Sequence, residues 1–392
     1  MKQTQLLQEI RIMRFEEVYT SWQRRSLTQE EAARILGVSD RTFRRHICLY
    51  EEAGLEGLFD RRLSQESFRK APIDEVFKLV ELYRKRYSGF TVKHFYSWYQ
   101  RSHGGSRSYT WVKNTLKAKK LVKKAPKRGA HRKKRPRAPY PGMMLHQDGS
   151  QHEWVPGKMW DLIITMDDAT NEHYSMFFVQ EEGTYSSFRG IRDVIERKGL
   201  FASLYTDRAS QYWYTPPGSG KVDKSKPTQF GRAMKHLSIE MIPAYSPQAR
   251  GRCERAFKTH QGRLPKELAM AGITEMEEAN RYLETVYRPA FNEEFTVKPT
   301  EEEKLFVKWA GGPLDDILCE QFTRTVRNDN CVVFKNLTLQ IPKDKYRCHY
   351  VKAKVRLCRY DNGNIALFHG PRKLAEYDSK GAMLKKKKST AA

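Results

Sequence analysis

Residues 246–264 read SPQARGRCERAFKTHQGRL, and the interpretation of the whole sequence starts from this stretch. Its first residues are expected to end a strand and to turn, by Gly251, into a long helix, because glycine lets the backbone approach a ligand closely. Glu254 projects from the first turns of that helix, and Lys258 shares its face. The pattern indicates an acid in basic surroundings, although an amphipathic helix with a solvated basic side would also produce it.

Two further acids precede this helix, each in a stretch typical of a short strand: Asp148 in HQDGS and Asp207 in YTDRASQY. Mg²⁺ prefers oxygen ligands and takes a couple of carboxylates while keeping waters and substrate phosphate oxygens. Two such ions can activate a water or hydroxyl and stabilise the leaving oxygen of a phosphodiester. Asp148, Asp207 and Glu254 are therefore the predicted catalytic residues and the predicted ligands of Mg²⁺, with Mn²⁺ as a possible substitute.

The region around these acids alternates between the periods of strands and helices. In chain order the predicted elements are strands over 143–154, 161–170 and 172–182, a helix over 186–199, a strand over 202–212, a helix over 229–238, a strand over 239–245 and a helix over 248–272. This order predicts three antiparallel strands followed by an α/β crossover, with the acids in or beside the sheet.

The motifs around the three acids resemble those of a known family. They read DGS-x-H-x-W, MDDAT, TDR-x-S and A-x-SPQA-x-GR-x-ER-x-F-x-T-x-Q-x-RL. They are similar to the motifs of DDE transposases and retroviral integrases, and in particular to insertion-sequence transposases of the ISNCY group. The resemblance is most specific between Asp148 and Asn292. It implies an RNase H-like core, Mg²⁺-dependent DNA cleavage, and transfer of the new 3′-OH ends to target DNA.

The same resemblance implies the partners. They are double-stranded DNA, both the terminal repeats of the element and the target, and further copies of the chain assembled on that DNA. Arg252 and Lys258 are then expected to contact phosphates. One departure from the family is a longer interval between Asp207 and Glu254, because residues 213–229 are extra. Their Pro, Gly, Ser and Lys content predicts a floppy surface loop.

A helix-turn-helix pattern lies near the N-terminus. Thr28 and Glu31 have the spacing of a capping box, Gly37 permits a turn, and Ser39 is placed to cap a second helix. The apolar stripe of the first helix is assigned to Ala32, Ile35 and Leu36. The outer face of the second helix carries the residues predicted to contact DNA: Arg41, Arg44 and Arg45.

Three amphipathic helices are predicted next, over residues 73–87, 91–100 and 106–122. Val112 and Leu116 point inward from the third helix. The residues that project from it and are predicted to contact DNA are Arg107, Tyr109 and Lys113. We interpret these helices as a second, winged-helix-like DNA-binding unit.

Charge indicates the class of partner. The 392 residues include 72 Lys and Arg against 46 Asp and Glu, a formal net charge of +26. This excess favours nucleic acid over an anionic membrane surface, since no basic amphipathic membrane helix stands out. Residues 117–137 alone hold twelve Lys and Arg and no acid, which predicts a basic linker that also neutralises phosphates.

The sequence offers no signal for a membrane, a secretory pathway or zinc. No apolar run is long enough to span a bilayer, and the N-terminus is too polar for a signal peptide, so we expect a bacterial cytoplasmic protein associated with the nucleoid. The six cysteines lie far apart without a C-x-x-C pair, so zinc is not expected and the thiols are expected to be reduced core residues.

The expected fold class is multidomain: all-α helix-turn-helix units, a central α/β RNase H-like core, and a small C-terminal β-barrel of six short strands. The predicted domains are 1–66 (helix-turn-helix), 67–122 (second helical unit), 123–140 (basic linker), 141–310 (catalytic core with its C-terminal helices), 311–380 (barrel) and 381–392 (basic tail).

Other residues compete for the catalytic role. Asp167 and Asp168 are neighbours in a strand, whose side chains alternate, so they are interpreted as hydrogen-bonding residues with Asp168 in reserve. His146 and His152 are more simply core or hydrogen-bonding histidines. A nucleophile is the remaining possibility; the candidates are Ser150 and Cys253, and neither has an evident histidine base.

Two other functions share most of these residues. The chain could be a helix-turn-helix regulator with an inert core, against which the presence of all three acids counts. It could also be a metal-dependent nuclease without strand transfer, which differs from a transposase only in the fate of the 3′-OH.

Overall fold

The computed structural model describes residues 3–60, 70–123, 135–245, 247–343 and 345–384, with the side chains of 3–5 and 247–250 left aside. Most of the predicted basic linker and the basic tail from 385 onward lie outside these residues. The chain divides into two compact units, Met1–Arg86 and Tyr87–Ala392.

The described helices are α1 (Gln3–Gln23), α2 (Gln29–Leu36), α3 (Asp40–Ala53), α4 (Ile73–Arg86), α5 (Val92–His103), α6 (Tyr109–Ala118), α7 (Thr184–Arg197), α8 (Gln229–His236), α9 (Pro247–Ala271), α10 (Met276–Tyr282) and α11 (Arg288–Phe295). A π-helical turn, Leu283–Tyr287, joins α10 to α11.

The described strands are β1 (Met144–Val155), β2 (Lys158–Asp167), β3 (His173–Val179), β4 (Ser203–Thr206), β5 (Glu240–Pro243), β6 (Glu320–Thr325), β7 (Cys331–Phe334), β8 (Leu337–Gln340), β9 (Lys354–Arg359), β10 (Ile365–His369) and β11 (Arg372–Tyr377).

The helices α2 and α3 form the predicted helix-turn-helix. The Thr28 hydroxyl accepts from the amide of Glu31, and the Glu31 carboxylate accepts from the amide of Thr28 at 2.8 Å, so the capping box is confirmed. Gly37 has φ 65°, a left-handed conformation that glycine adopts without strain. Ser39 caps α3, as predicted.

The core of this unit differs from the prediction at one position of α2. Ala33 is buried and Ile35 is 49% exposed, so Ile35 is not part of the apolar stripe. A helix turns about 100° per residue, and the face centred on positions 32, 33 and 36 leaves position 35 at its side. The helix α1, which the sequence analysis did not predict, fills the core with Phe15 against Phe43 at a ring distance of 5.9 Å.

The helices α4, α5 and α6 confirm the three helices predicted for the second helical unit. Val112 and Leu116 of α6 are fully buried, as predicted. The described residues 70–123 contain no strand, so the expected wing is missing from this part of the chain.

Side chains of α5 fasten it to helices of the core within the second compact unit. The Nε2 atom of His94 lies 2.7 Å from Oε1 of Glu267 in α9, and both side chains are buried. Ser97 donates to Glu294 in α11, which also receives two hydrogen bonds from Arg263. The predicted end of the helical unit at 122 therefore does not coincide with a break in packing.

The central sheet has the order β3-β2-β1-β4-β5. The strands β1, β2 and β3 pair antiparallel, while β4 pairs parallel with β1 and β5 pairs parallel with β4. Three antiparallel strands followed by an α/β crossover were predicted, and this arrangement is confirmed.

Helices cover both faces of this sheet. Leu145 of β1 and Leu204 of β4 lie in one buried cluster with Phe188 of α7 and Phe230 of α8. Ile164 of β2 lies in a second cluster, whose helical members come from α9, α10 and α11. The sheet is thus buried on both faces.

The C-terminal module contains all six predicted strands, but the predicted barrel is wrong. Four strands form a sheet in the order β11-β10-β9-β6, and β7 with β8 forms a separate hairpin. Among the described residues no pairing joins the edge strands β6 and β11, so the sheet stays open. The strand pattern gives the number and length of strands, whereas closure depends on which edges meet.

Two expectations from composition, on the cysteines and on membrane helices, can be compared with the structure. Of the six free cysteines, four are buried (Cys253, Cys319, Cys331 and Cys358) and two are exposed (Cys48 and Cys348), so the core-thiol prediction holds for four. Within the described residues, every helix is too short or too polar to cross a membrane.

Candidate active site

The sheet brings two of the three predicted acids side by side. His146 of β1 is paired with Tyr205 of β4 in parallel register. Asp148 and Asp207 each follow two residues later, and adjacent strands lie about 4.8 Å apart. Asp148 is buried and Asp207 is half-buried directly after β4. The two carboxylates therefore occupy matching positions on neighbouring strands, where β4 ends.

The register also determines which face Asp148 occupies. Asp148 pairs with Ile164, and Ser150 pairs with Leu162; directly paired residues of an antiparallel ladder point to the same face. That face is covered by α9, because Gln261 donates to the Ser150 hydroxyl at 3.1 Å. Asp148 thus lies on the side of the sheet where the helix of Glu254 packs.

Glu254 lies in α9, seven residues before Gln261 and so on nearly the same helix face. Its side chain is exposed, and its neighbour Cys253 is buried. Among the described residues, no three His, Cys, Asp or Glu side chains lie close enough to hold one metal ion. The fold places Glu254 on the correct helix but does not gather it into a compact cluster with Asp148 and Asp207.

The start of α9 differs from the sequence-based expectation. The helix begins at Pro247 and includes Gly251, which was expected to end a turn. Proline is favoured in the first turn of a helix, where its missing N–H would have no intrahelical partner. The space beside Gly251 is open.

Glu182 is a fourth acid at this site, and the sequence analysis missed it. Burial and then the nearby charges of Asp148 and Asp207 raise the pKa of Glu182 to about 7. Gln211 donates to its carboxylate at 3.0 Å and the Tyr212 hydroxyl at 3.3 Å. In the sequence, Glu182 is marked only by its position just after β3. Its approach to the other acids arises from tertiary packing, which no local pattern reveals.

Glu182 lies on the other side of β1 from Asp148. A Cβ atom added to Gly149 would lie 2.2 Å from a carboxylate oxygen of Glu182, and neighbouring residues of a strand point to opposite faces. Any side chain at position 149 would displace Glu182. The glycine in the motif DGS therefore leaves room for the carboxylate of Glu182.

Asp168 forms a buried ion cluster beside the site. Its carboxylate accepts hydrogen bonds from the guanidinium groups of Arg135 and Arg252, from the amide of Ala138 at 2.7 Å, and contacts His146 Nε2 at 2.6 Å. Burial alone would raise the pKa of Asp168, but the His146 contact and these donors hold it well below the usual range. Asp168 is a hydrogen-bonding residue, as the sequence analysis favoured.

This cluster changes the interpretation of two groups that were expected to meet phosphates. Arg252 also donates to the carbonyls of Arg135 and Pro136, so its guanidinium is committed to the protein and is mostly buried. At the end of the predicted linker, Arg137 donates to the carbonyls of Asp168 and Ala169. Lys258, in contrast, is exposed on α9.

The other residues predicted to contact DNA lie on helix surfaces of their own units. Arg41, Arg44 and Arg45 are all exposed on α3. Arg107, just before α6, lies over the ring of Trp111 at 5.5 Å, and Lys113 of α6 lies over Tyr109 at 5.7 Å.

Tyr109 itself is half-buried and packs edge-on against Tyr96 at 5.5 Å. Its ring therefore has a packing role in addition to any contact with a ligand.

The donor set where β4 ends fits a hard divalent cation. Asp148 and Asp207 offer carboxylate oxygens at matching register, and few carboxylates suffice for an ion that keeps waters. Burial and, after it, their negative charge raise the pKa of Glu182. A cation at this position would relieve the repulsion between these acids.

Comparisons with known proteins show what this chain resembles. Residues 21–64 match the family model of a helix-turn-helix domain. The chain is 25% identical over 348 residues to the putative transposase y4bF of Sinorhizobium fredii, a match that spans 86% of this chain and 74% of that protein. It is 32% identical over 161 residues to the transposase for insertion sequence IS1202 of Streptococcus pneumoniae, spanning 41% of this chain and 34% of that protein.

These relatives confirm the predicted resemblance to insertion-sequence transposases, and the family model confirms the predicted helix-turn-helix domain.

Solved structures give weaker matches. One is a chain of the simian T-cell lymphotropic virus intasome in complex with the PP2A regulatory subunit B56 gamma, at 14% identity and a TM-score of 0.33 over 65% of this chain and 86% of that one. Another is the HTLV-2 integrase catalytic core domain in complex with magnesium, at 13% identity and a TM-score of 0.29 over 37% of this chain and 85% of that one. Scores this low do not define a shared fold.

Proposed function

We propose that this chain is a DNA transposase with an RNase H-like core that binds the ends of its element, cuts the DNA there with Mg²⁺, and joins the released 3′-OH ends to target DNA. The catalytic residues in this proposal are Asp148, Asp207 and Glu254. The observation that carries it is the placement of Asp148 and Asp207 at matching register, on the sheet face that α9 covers. The similarity to transposases supports it.

Asp148 and Asp207 would hold the divalent ion, and Glu254 would complete its ligands when α9 and the DNA are in place. Such an ion, when bound, polarises a water or hydroxyl and stabilises the leaving oxygen of a phosphodiester. The contribution of the surrounding protein is to hold the proposed ligands in position. Gly149 makes room for Glu182 behind β1, and Asp168 holds Arg252, which precedes Glu254 by two residues on α9, against the core.

DNA binding is assigned to separate surfaces. Arg41, Arg44 and Arg45 present a cationic face of α3, as a recognition helix does in the major groove. Lys258 is placed to meet a phosphate near Glu254, because the two side chains lie one turn apart and both are exposed. We include assembly of several copies on the DNA in the proposal.

The decisive experiment incubates the full chain with duplex DNA that carries the element end and a second, target duplex, in Mg²⁺. Joined products are expected, and they should disappear in EDTA. Cleavage without joining would identify a nuclease. Specific binding without cleavage would identify a regulator with an inert core. Either result would overturn the proposed function.

A further inference from the structure

The extra residues after Asp207 form an ordered loop, in contrast to the floppy insertion expected from composition. Its base is buried: Tyr212 and Trp213 belong to the core of the sheet, and Trp213 Nε1 donates to the hydroxyl of Thr206, the last residue of β4. Its ends close on each other, because the Thr228 hydroxyl donates to the carbonyl of Tyr212 at 3.1 Å. Residues 212–228 are thus a compact Ω-like loop fastened to the strand that leads to Asp207.

The tip of this loop contacts residues near Asp207 and near the start of α9. Arg208, which follows Asp207, donates to the carbonyl of Gly220 at 2.6 Å. The amide of Val222 donates to the hydroxyl of Tyr245, two residues before α9, at 3.3 Å. The loop therefore bridges the strand end that carries Asp207 and the approach to the helix that carries Glu254.

The outer side of the loop combines positive charge with exposed rings. Arg208 lies over the ring of Tyr245 at 5.2 Å, and Lys226 lies over the ring of Tyr214 at 5.3 Å. Tyr245 is 54% exposed and Tyr214 is 40% exposed. The remaining exposed cations are Lys221 and Lys224.

One acid lies within the loop, and it is turned to the backbone. The carboxylate of Asp223 accepts from both the amide and the hydroxyl of Ser225 at 2.9 and 2.6 Å, and the amide of Asp223 donates to the carbonyl of Tyr214. The loop surface, defined as Arg208, Tyr214, Lys226 and Tyr245, is therefore cationic and aromatic.

We propose that this loop surface binds unpaired DNA nucleotides beside the scissile phosphate. Tyrosine faces stack on bases of any sequence, and lysine and arginine neutralise the backbone between them. In a duplex the base faces are already stacked, so exposed rings beside the scissile phosphate favour a strand whose bases have separated. This inference rests on the proposed function for its location, since Asp207 marks where the strand is cut.

The test compares two element-end duplexes of the same length, bound by the full chain in EDTA so that no cutting occurs. One is paired throughout, and the other carries mismatches over the nucleotides that flank the cleavage site. The parental protein should bind the mismatched end more tightly, by about five-fold or more for each base that stacks, as base stacking on aromatic side chains contributes roughly 1–3 kcal/mol. Affinities are measured by fluorescence anisotropy.

Variants assign the preference to particular rings. Tyr214→Ala and Tyr245→Ala should reduce the ratio of the two affinities toward one, while Tyr214→Phe and Tyr245→Phe should retain it. Thermal melting and affinity for the paired end report whether each variant is folded. Tyr346→Ala is the matched control, because Tyr346 is an exposed tyrosine under an arginine, Arg372, in the C-terminal module; it should leave the ratio unchanged.

Three results would overturn the inference: a parental ratio near one, alanine variants that keep the parental ratio, or a control variant that loses it to the same extent. A single-stranded oligonucleotide and its duplex, compared in the same way, separate this failure from that of the proposed function. If the chain shows the tyrosine-dependent preference for the single strand but joins no ends, the assignment of the loop is supported and the proposed transposase function is overturned.

Discussion

His173 and His260 face each other inside the core, with their Nε2 atoms 3.1 Å apart between β3 and α9. His260 also contacts the hydroxyl of Tyr287 through Nδ1 at 3.0 Å. Burial lowers the pKa of His173 to about 4, and burial followed by the charge of nearby groups lowers the pKa of His260 well below its usual value. Both imidazoles are thus held neutral in the folded protein.

This pair predicts acid sensitivity of the catalytic core. The folded-state pKa of His173 lies below that of the unfolded chain, about 6.5, so its contribution is complete above pH 6.5 and is lost as the pH falls toward 4. The loss for this residue is on the order of 3 kcal/mol. Urea unfolding followed by tryptophan fluorescence at pH 7.5 and 4.5 measures it.

His173→Gln keeps a hydrogen-bonding group without a titrating ring, so it should flatten the pH dependence between 6.5 and 4. An equally steep decline in this variant would remove the histidine pair as the cause.

The second prediction concerns the three acids proposed to be catalytic. Asp148→Asn, Asp207→Asn and Glu254→Gln each remove a charged oxygen with little change in volume, so end binding should persist. Cleavage and strand transfer should fall together by orders of magnitude, because the same ions would serve both steps. Binding is scored by mobility shift and chemistry by strand products. Near-parental cutting by any one variant would exclude that residue from the site.

The third prediction concerns Asp168, whose carboxylate joins His146, Arg135 and Arg252 in the interior. Asp168→Asn leaves the mostly buried Arg252 and the partly exposed Arg135 without their charged partner and should destabilise the core by up to about 3–5 kcal/mol. Asp315→Asn is the control, because Asp315 pairs with Arg192 at the exposed surface and such pairs contribute roughly 0–1 kcal/mol. Equal midpoints of unfolding for the two variants would contradict this.

The fourth prediction concerns the recognition helix. Arg44→Ala should weaken binding to the element end by roughly 1–3 kcal/mol if the guanidinium contacts a base, with a much smaller effect on random duplex. Arg14→Ala, which removes an exposed arginine from α1, should change neither. Competition binding at fixed salt measures the ratio. An equal loss on both DNAs would reassign Arg44 to the phosphate backbone.

Local sequence patterns were sufficient to predict most of the elements, although not α1. Capping residues and apolar period gave α2 and α3 through Thr28, Glu31 and Ser39, and the alternation of side chains gave all eleven strands. These signals are local, since a cap or a period is completed within a few residues. The motif around Glu254 also indicated the resemblance to transposases, because its residue types and spacing lie in one continuous stretch of sequence.

The way in which those elements pack against one another depends on tertiary contacts and could not be predicted from the sequence. The parallel pairing of β1 with β4 aligns Asp148 with Asp207, and packing behind Gly149 brings in Glu182, which no local pattern marks. Arg252 was expected to contact a phosphate, but its guanidinium is bound by Asp168, 84 residues away in the chain. Such contacts depend on strand register and on the charges that folding buries together, and neither is fixed by the residues next to them in sequence.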